Sequence, residues 1–334
     1  MTAATDVVGA RERSRMDDVT AWARRNSWTI ALLGLMVVFF AITKALQPRY
    51  GAPELQGFAI SVLPIAFAAV AQAIVVISGG IDLSVGSMMA LASVVSAVLM
   101  KGQSDLTALV IVIATLGLGI ALGLVNGGLI VVTRVPDIVV TLAMSFVWAG
   151  TALLVLHTPG GGAAKWLMDL ISDAYVTEWL PRALVLLVVL VAVIWVPIRR
   201  SPLGLSLYAI GSNRLAAFRS GVSVGRTKLL AYALTGLFSA MGGLALTAST
   251  GIGSPVPGSY TIQSIAAIVL GGVSLAGGRG GVVGPVVAVI ILAFIRTDLT
   301  FIGVNPNLGT TIQGVILIGV VMFGSFVTLR RGRA

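Results

Sequence analysis

Few side chains in this 334-residue sequence are equipped for chemistry, and those that are favour polar contact over bond making. Cysteine is absent and His157 is the lone histidine, which removes thiol chemistry, disulfide frameworks and structural zinc. His157 lies beside Thr158, Pro159 and three glycines, with no catalytic or metal partner nearby, and reads as a solvated loop residue. No GxxxxGK[ST] phosphate loop occurs. The nearest phrase, Gly277-Gly278-Arg279-Gly280-Gly281, lacks the lysine and a following Ser or Thr, and reads as a flexible turn. No catalytic residue, metal ligand or bound cofactor is therefore expected. What remains are four amides, Gln72, Asn126, Gln263 and Gln313, set in apolar runs with scattered Ser and Thr. Such amides either hydrogen-bond between helices or line a path for a neutral polar solute, and the sequence leaves both open.

The elements that must position these residues are membrane spans. The chain is 57% hydrophobic and 10% charged, with a mean hydropathy of +1.03. A soluble domain carries about 25% charged residues, so this chain lacks the polar surface to face water all round. A bilayer core about 30 Å thick needs roughly 20 apolar residues of helix. Ten uncharged runs approach that length, at 28–43, 57–77, 84–100, 106–132, 138–156, 183–198, 229–250, 259–276, 281–296 and 308–329. The expected fold class is an all-α polytopic membrane protein with about ten transmembrane helices. The runs at 84–100 and 281–296 are short and glycine-flanked, which leaves full crossing or re-entrance open.

An even number of spans puts both termini on one side. Lys44, Arg49, Lys101, Lys165, Arg182 and Arg296 then fall on the far side, leaving 16 of the 22 Lys and Arg on the near one, while the 12 acids divide six and six. The whole net charge of +10 sits on the near face, which the positive-inside rule makes cytoplasmic. It reads as topology and not as a nucleic-acid footprint. The domain reading is a cytoplasmic arm at 1–26, a transmembrane domain at 27–329 with a cytoplasmic loop at 199–228, and a basic tail at 330–334. No run carries an ionisable residue near its centre, which argues against proton coupling and for a power source outside the chain.

Three local patterns stand out. Gly119, Gly123 and Gly127 repeat every four positions, giving one bare helix face for close packing, so this span is expected to be central. In the 199–228 loop, Gly211 precedes a barely two-turn helix that Ser212 or Asn213 can cap and Gly221 can close. Leu215 and Phe218 share one side of it, and a helix that short needs a surface to pack on, either protein or lipid headgroups. The third pattern is the turn holding Gly79, Gly80, Asp82, Ser84 and Ser87, where Asp82 or Ser84 can cap the next helix or line an inner gate. A similar phrase, Gly271-Gly-Val-Ser-Leu-Ala-Gly-Gly278, follows 192 residues later.

The phrases ISGGIDLSVGSMMALAS (77–93), AIGSNRLAAFRSGVSV (209–224) and IAAIVLGGVSLAGGRGGVVGP (265–285) occur in order. Together they resemble the membrane permease subunits of bacterial ribose-type ABC sugar importers. The resemblance implies an inner-membrane permease that pairs with a second copy or a homologous permease. It also implies a periplasmic or lipid-anchored sugar-binding protein and a cytoplasmic ATPase that holds the ATP and Mg. Gly211, Asn213, Arg214, Ala216, Ala217, Arg219 and Gly221 would then form the coupling helix and its flanks, seated in a cleft of the ATPase. The implied cargo is a neutral monosaccharide such as ribose, xylose or galactose. Inositol, a sugar-derived signal, a nucleoside or an amino acid are the alternatives, with a self-sufficient secondary carrier behind them.

Overall fold

The computed structural model describes residues 27–172, 175–177, 179–256 and 258–305, with positions 308, 311, 312, 314, 315 and 319. The arm at 1–26, Gln313, most of the 308–329 run and the tail at 330–334 lie outside the described residues.

Apolar composition sets the element order. Helices α1 (Ser27–Leu46), α2 (Ala52–Ile77), α3 (Val85–Met100), α4 (Asp105–Thr133) and α5 (Asp137–Val155) come first. A short α6 (Lys165–Ser172) and a small antiparallel pair, β1 (Tyr175–Thr177) and β2 (Leu180–Pro181), lead into α7 (Arg182–Arg200). Then follow α8 (Pro202–Ser212), α9 (Arg214–Arg219), α10 (Val224–Thr250), α11 (Tyr260–Leu270) and α12 (Val283–Phe301). Seven of them, α1, α2, α4, α5, α7, α10 and α12, are long and apolar enough to cross a membrane. The described chain is thus a mostly helical, multi-pass bundle.

The core centres on α10, which packs along α2, α3 and α4. The glycine stripe of α4 works as expected: a Cβ at Gly119 would meet Ala240 and the Gly236 carbonyl, and one at Gly123 would meet the Tyr232 carbonyl. The expectation that this makes α4 central needs correction. Its buried residues form one face, Thr115, Gly119, Gly123, Asn126 and Gly127 among them, and the rest of the helix is largely exposed. A bare stripe permits close approach on its own side only. The helices enclosed on most sides are α2, α3 and α10.

Two helices begin part-way along the bundle. Ile77 at the end of α2 accepts from the Gly278 amide, beyond the end of α11, whereas the Gly86 amide donates to Thr261 at the start of α11. Residues 78–86 therefore advance by about the length of α11, roughly 16 Å for 11 residues, mostly as non-helical backbone. The chain after α10 does the opposite. Gly253 pairs with Gly160 and lies on Val94 and Ala97, yet Thr261 lies beside Gly86, so Thr261 stands nearer the start of α3 than Gly253 does. The run at 84–100 is thus a 16-residue helix, and the helix within 259–276 is confined to 11 residues. Irregular backbone at this depth is tolerated where protein encloses it, and Asp82 and Ser84 are fully buried.

The run at 281–296 is longer in the structure, continuing to Phe301, so Arg296 and Asp298 belong to α12 and not to a loop. Asp298 accepts from the Thr43 hydroxyl at 2.6 Å, which explains how a carboxylate is held there.

Candidate coupling junction and solute cavity

The 199–228 loop folds as α8 and α9. The side chain of Asn213 accepts from the Ala216 amide at 2.9 Å, the cap that the sequence offers, and Gly221 at φ +85° turns the chain away. On α9 Leu215 and Phe218 are 60% and 67% exposed, too apolar and too exposed for a helix meant to stand in water alone. Arg214, Ala216 and Arg219 share that exposure, while Ala217 turns inward and is buried. Asn213→Ala is expected to cost about 1 kcal/mol of cap stability. Faster hydrogen exchange confined to 214–219 would report it.

Beneath α9 the three glycine phrases meet. Gly211 of α8 fits between the Ile77 carbonyl and the Gly278 amide, which bond to each other at 2.9 Å. Gly79 and Gly277, both at positive φ, close the other side of Gly211. At Gly211 and Gly277 the approach is backbone against backbone and leaves no room for a Cβ, whereas at Gly79 the positive φ disfavours one. The Tyr208 hydroxyl ties α8 to the same loop by donating to the Gly280 carbonyl at 2.8 Å, and burial pushes its pKa up.

One layer further in lies an ion pair that the sequence did not disclose. Lys228 Nζ reaches both Asp137 oxygens at 2.6 Å, and the Tyr232 hydroxyl donates to Asp137 Oδ2 at 2.9 Å. The Lys228 and Asp137 side chains are only 8% and 13% exposed. Gly80 packs against this group, since a Cβ there would meet Asp137 Oδ2 and sit 2.9 Å from the Tyr232 hydroxyl. The ion pair thus stands between the start of α10, just after α9, and the non-helical 78–84 segment. Its signal in the sequence was a charge at each of two helix starts, 91 positions apart, with nothing local to link them.

The segment itself is held by polar contacts. Asp82 Oδ1 accepts from the Ser84 amide at 2.8 Å and its hydroxyl at 2.6 Å, and Ser87 donates to the Ser84 carbonyl. Asn126 donates to Ser84 Oγ at 2.7 Å and accepts from Trp148 Nε1 at 3.2 Å. Both ends of that amide are therefore engaged in joining α4 and α5 to the segment. Asp82 Oδ2 has no partner among the described residues.

Towards the opposite end, a cavity of about 490 Å³ opens between α2, α11 and α12, within the usual range for small-molecule sites. Ser61, Ile65, Ser259, Gln263, Arg296 and Thr300 are among its walls, and no acidic residue is, among the described residues. Gln263 donates to the Ser259 hydroxyl at 2.5 Å. Gln72 lies deeper in α2, fully buried. No group of three or more His, Cys, Asp or Glu that could hold a metal occurs among the described residues.

Residues 55–321 match the family described as branched-chain amino acid transport system / permease component. The chain belongs to this ABC permease family. Among relatives, the permease is 32% identical over 314 residues to the autoinducer 2 import system permease protein LsrD of Escherichia coli strain K12. The alignment covers 92% of this chain and 94% of that one, and the LsrD of Shigella flexneri matches to the same extent. No solved structure matches. Such proteins are membrane transport components and not enzymes, so the permease needs no catalytic residue of its own.

Of the residues singled out in sequence, Gly79, Gly80 and Gly211 come together at one end of the permease, with Asn213 and α9 above them. Gln263 borders the cavity, Asn126 is spent on internal bonds, and Gln72 is enclosed without a bond. Asp137, Lys228 and Tyr232 were missed.

Proposed function

We propose that the permease forms the translocation pathway of an ATP-driven importer for a small, neutral, hydroxyl-bearing solute. Ten crossing segments, counting α3 and α11 with their non-helical extensions and the 308–329 run, would put both termini and α9 in the cytoplasm, as the charge distribution favours. The observation that carries this reading is the exposed α9 following directly on a close-packed glycine junction shared by α2, α8 and the 271–280 loop. A partner ATPase, holding the ATP and Mg, takes Leu215 and Phe218 into a cleft while Arg214 and Arg219 face its acidic groups. Closure of the ATPase pair pushes α8 and α9, and the junction passes that displacement to the ends of α2 and α11, switching access from one side to the other.

A second copy of the permease or a homologous chain completes the pathway, membrane lipid surrounds it, and a periplasmic or lipid-anchored binding protein delivers the solute. The cavity offers hydroxyls and an amide set in apolar lining, with Arg296 as the charged group and no acidic wall among the described residues. An amino acid's ammonium would lack a counter-charge there, whereas a polyol can use the hydroxyls, the amide and the guanidinium as hydrogen-bond partners. The kinship with autoinducer 2 permeases favours a sugar-derived signal, with a monosaccharide such as ribose as the second reading.

The test is reconstitution in liposomes with the ATPase and binding protein. Import of autoinducer 2 or ribose is expected only with both partners and ATP, and flux without them refutes the scheme. Phe218→Asp is expected to lower solute-stimulated ATP hydrolysis at least tenfold with an unchanged melting temperature. Unaltered stimulation removes α9 from the interface.

A further inference from the structure

Gln72 is an anomaly in α2. It has no solvent exposure, and neither its amide nitrogen nor its amide oxygen has a hydrogen-bond partner among the described residues. Burying an amide without compensation is costly, and a leucine of nearly the same volume would remove the cost at once. A packing role therefore gives no reason for glutamine here.

Helix geometry says where Gln72 lies. Successive residues are about 100° apart, so positions 61, 65, 68 and 72 fall on one stripe about 60° wide. Ser61 and Ile65 of that stripe line the cavity. Gln72 stands about 10 Å further along it towards the coupling junction, and on this stripe only Ala68 intervenes, small and fully buried. The opposite wall of the cavity belongs to α11, through Ser259 and Gln263. This short helix packs along α2 and runs towards the same end. It is bracketed by non-helical backbone at 251–256 and 258–259 and by Gly272 at φ +79°, so it is not continuous with the helices before and after it.

We propose that the solute route continues from the cavity down this face of α2, and that Gln72 is its second station. When α11 moves, the amide, with two donors and an acceptor oxygen, exchanges its unmet bonds for hydroxyl groups of the solute. The cavity with Ser61, Gln263 and Arg296 is the first station. The hydroxyl-bearing class of solute rests on the importer reading above; the route itself rests on the stripe and the unpartnered amide.

The natural absence of cysteine makes the route directly testable. Single variants Ser61→Cys, Gln72→Cys and Val70→Cys of the full-length permease in detergent are exposed to a charged, water-soluble methanethiosulfonate. Val70 is equally buried but lies half a turn away from the stripe. The Ser61→Cys variant is expected to react at once, the Gln72→Cys variant to completion at least tenfold more slowly, and the Val70→Cys variant not at all. A Gln72→Cys variant as inert as Val70→Cys overturns the route. In the reconstituted importer, Gln72→Leu is expected to keep or raise the melting temperature while import of autoinducer 2 or ribose falls at least tenfold. Undiminished import per folded molecule also overturns it. Failure of the unsubstituted protein to import either probe counts against the importer reading instead, and the thiol reaction still decides the route.

Discussion

Gly211→Ala is expected to cripple the protein through a single added methyl group. Its nearest neighbours would be the Ile77 carbonyl and, at 2.6 Å, the Gly278 amide nitrogen, both backbone atoms that no rotamer change can move aside. The methyl must either wedge α8 away from α2 or break the bond between Gly278 and Ile77. Overpacking of this kind costs about 1–3 kcal/mol, and a lost buried backbone bond adds about 1–3 kcal/mol. A melting-temperature drop of several degrees is expected, with import reduced at least tenfold per folded molecule. Gly57→Ala serves as control, since a Cβ there meets nothing within 4 Å and its φ is not positive. A Gly211→Ala protein that melts and imports like the unsubstituted one would show that the junction gives freely, and would remove it from the coupling path.

Lys228→Met is the second large effect. With both partners present, Asp137 is neutralised by the Nζ at 2.6 Å and bonded by Tyr232. Removing the cation strands a carboxylate that is 13% exposed, a situation that costs about 3–5 kcal/mol. The double variant Asp137→Leu with Lys228→Met removes both charges, and we expect it to regain most of the lost melting temperature. That recovery would separate the ion pair as a mutual necessity from either residue as a packing element. If the single and double variants are equally unstable, the charges do not act as a pair. Because the pair is shielded from solvent, raising the salt to about 0.5 M should change the ranking little.

How far these arrangements could be read in advance depends on whether their cause is local. Hydropathy runs found the long helices because burial in lipid acts on each segment separately. Asn213 as a cap was legible because the capping oxygen and the amide that donates to it lie three residues apart. The convergence of Gly79, Gly211 and Gly277 was only half legible: each phrase was conspicuous, but their contact follows from how α2, α8 and α11 end together. Asp137 and Lys228 escaped notice because their pairing is long-range, and each alone resembles an ordinary charge at a span boundary. The late starts of α3 and α11 were hidden for another reason, since an apolar run looks the same whether its first residues are coiled or extended. For Asn126 the sequence left open a bond between helices or a solute, and the fold supplies Ser84 and Trp148; for Gln72 it supplies nothing.

The half-length α11 also bears on how the protein is made. Eleven residues of helix reach about 16 Å, roughly half of a hydrocarbon core. Such a segment has too little apolar length to partition into the bilayer on its own account, so it enters carried between α10 and α12. Its counterpart α3 emerges from the ribosome more than 150 residues earlier, with the Gly86 amide lacking its acceptor until Thr261 arrives. Biogenesis of this protein is therefore committed late: chains truncated before Tyr260 should persist as quality-control substrates, however well their earlier helices have inserted.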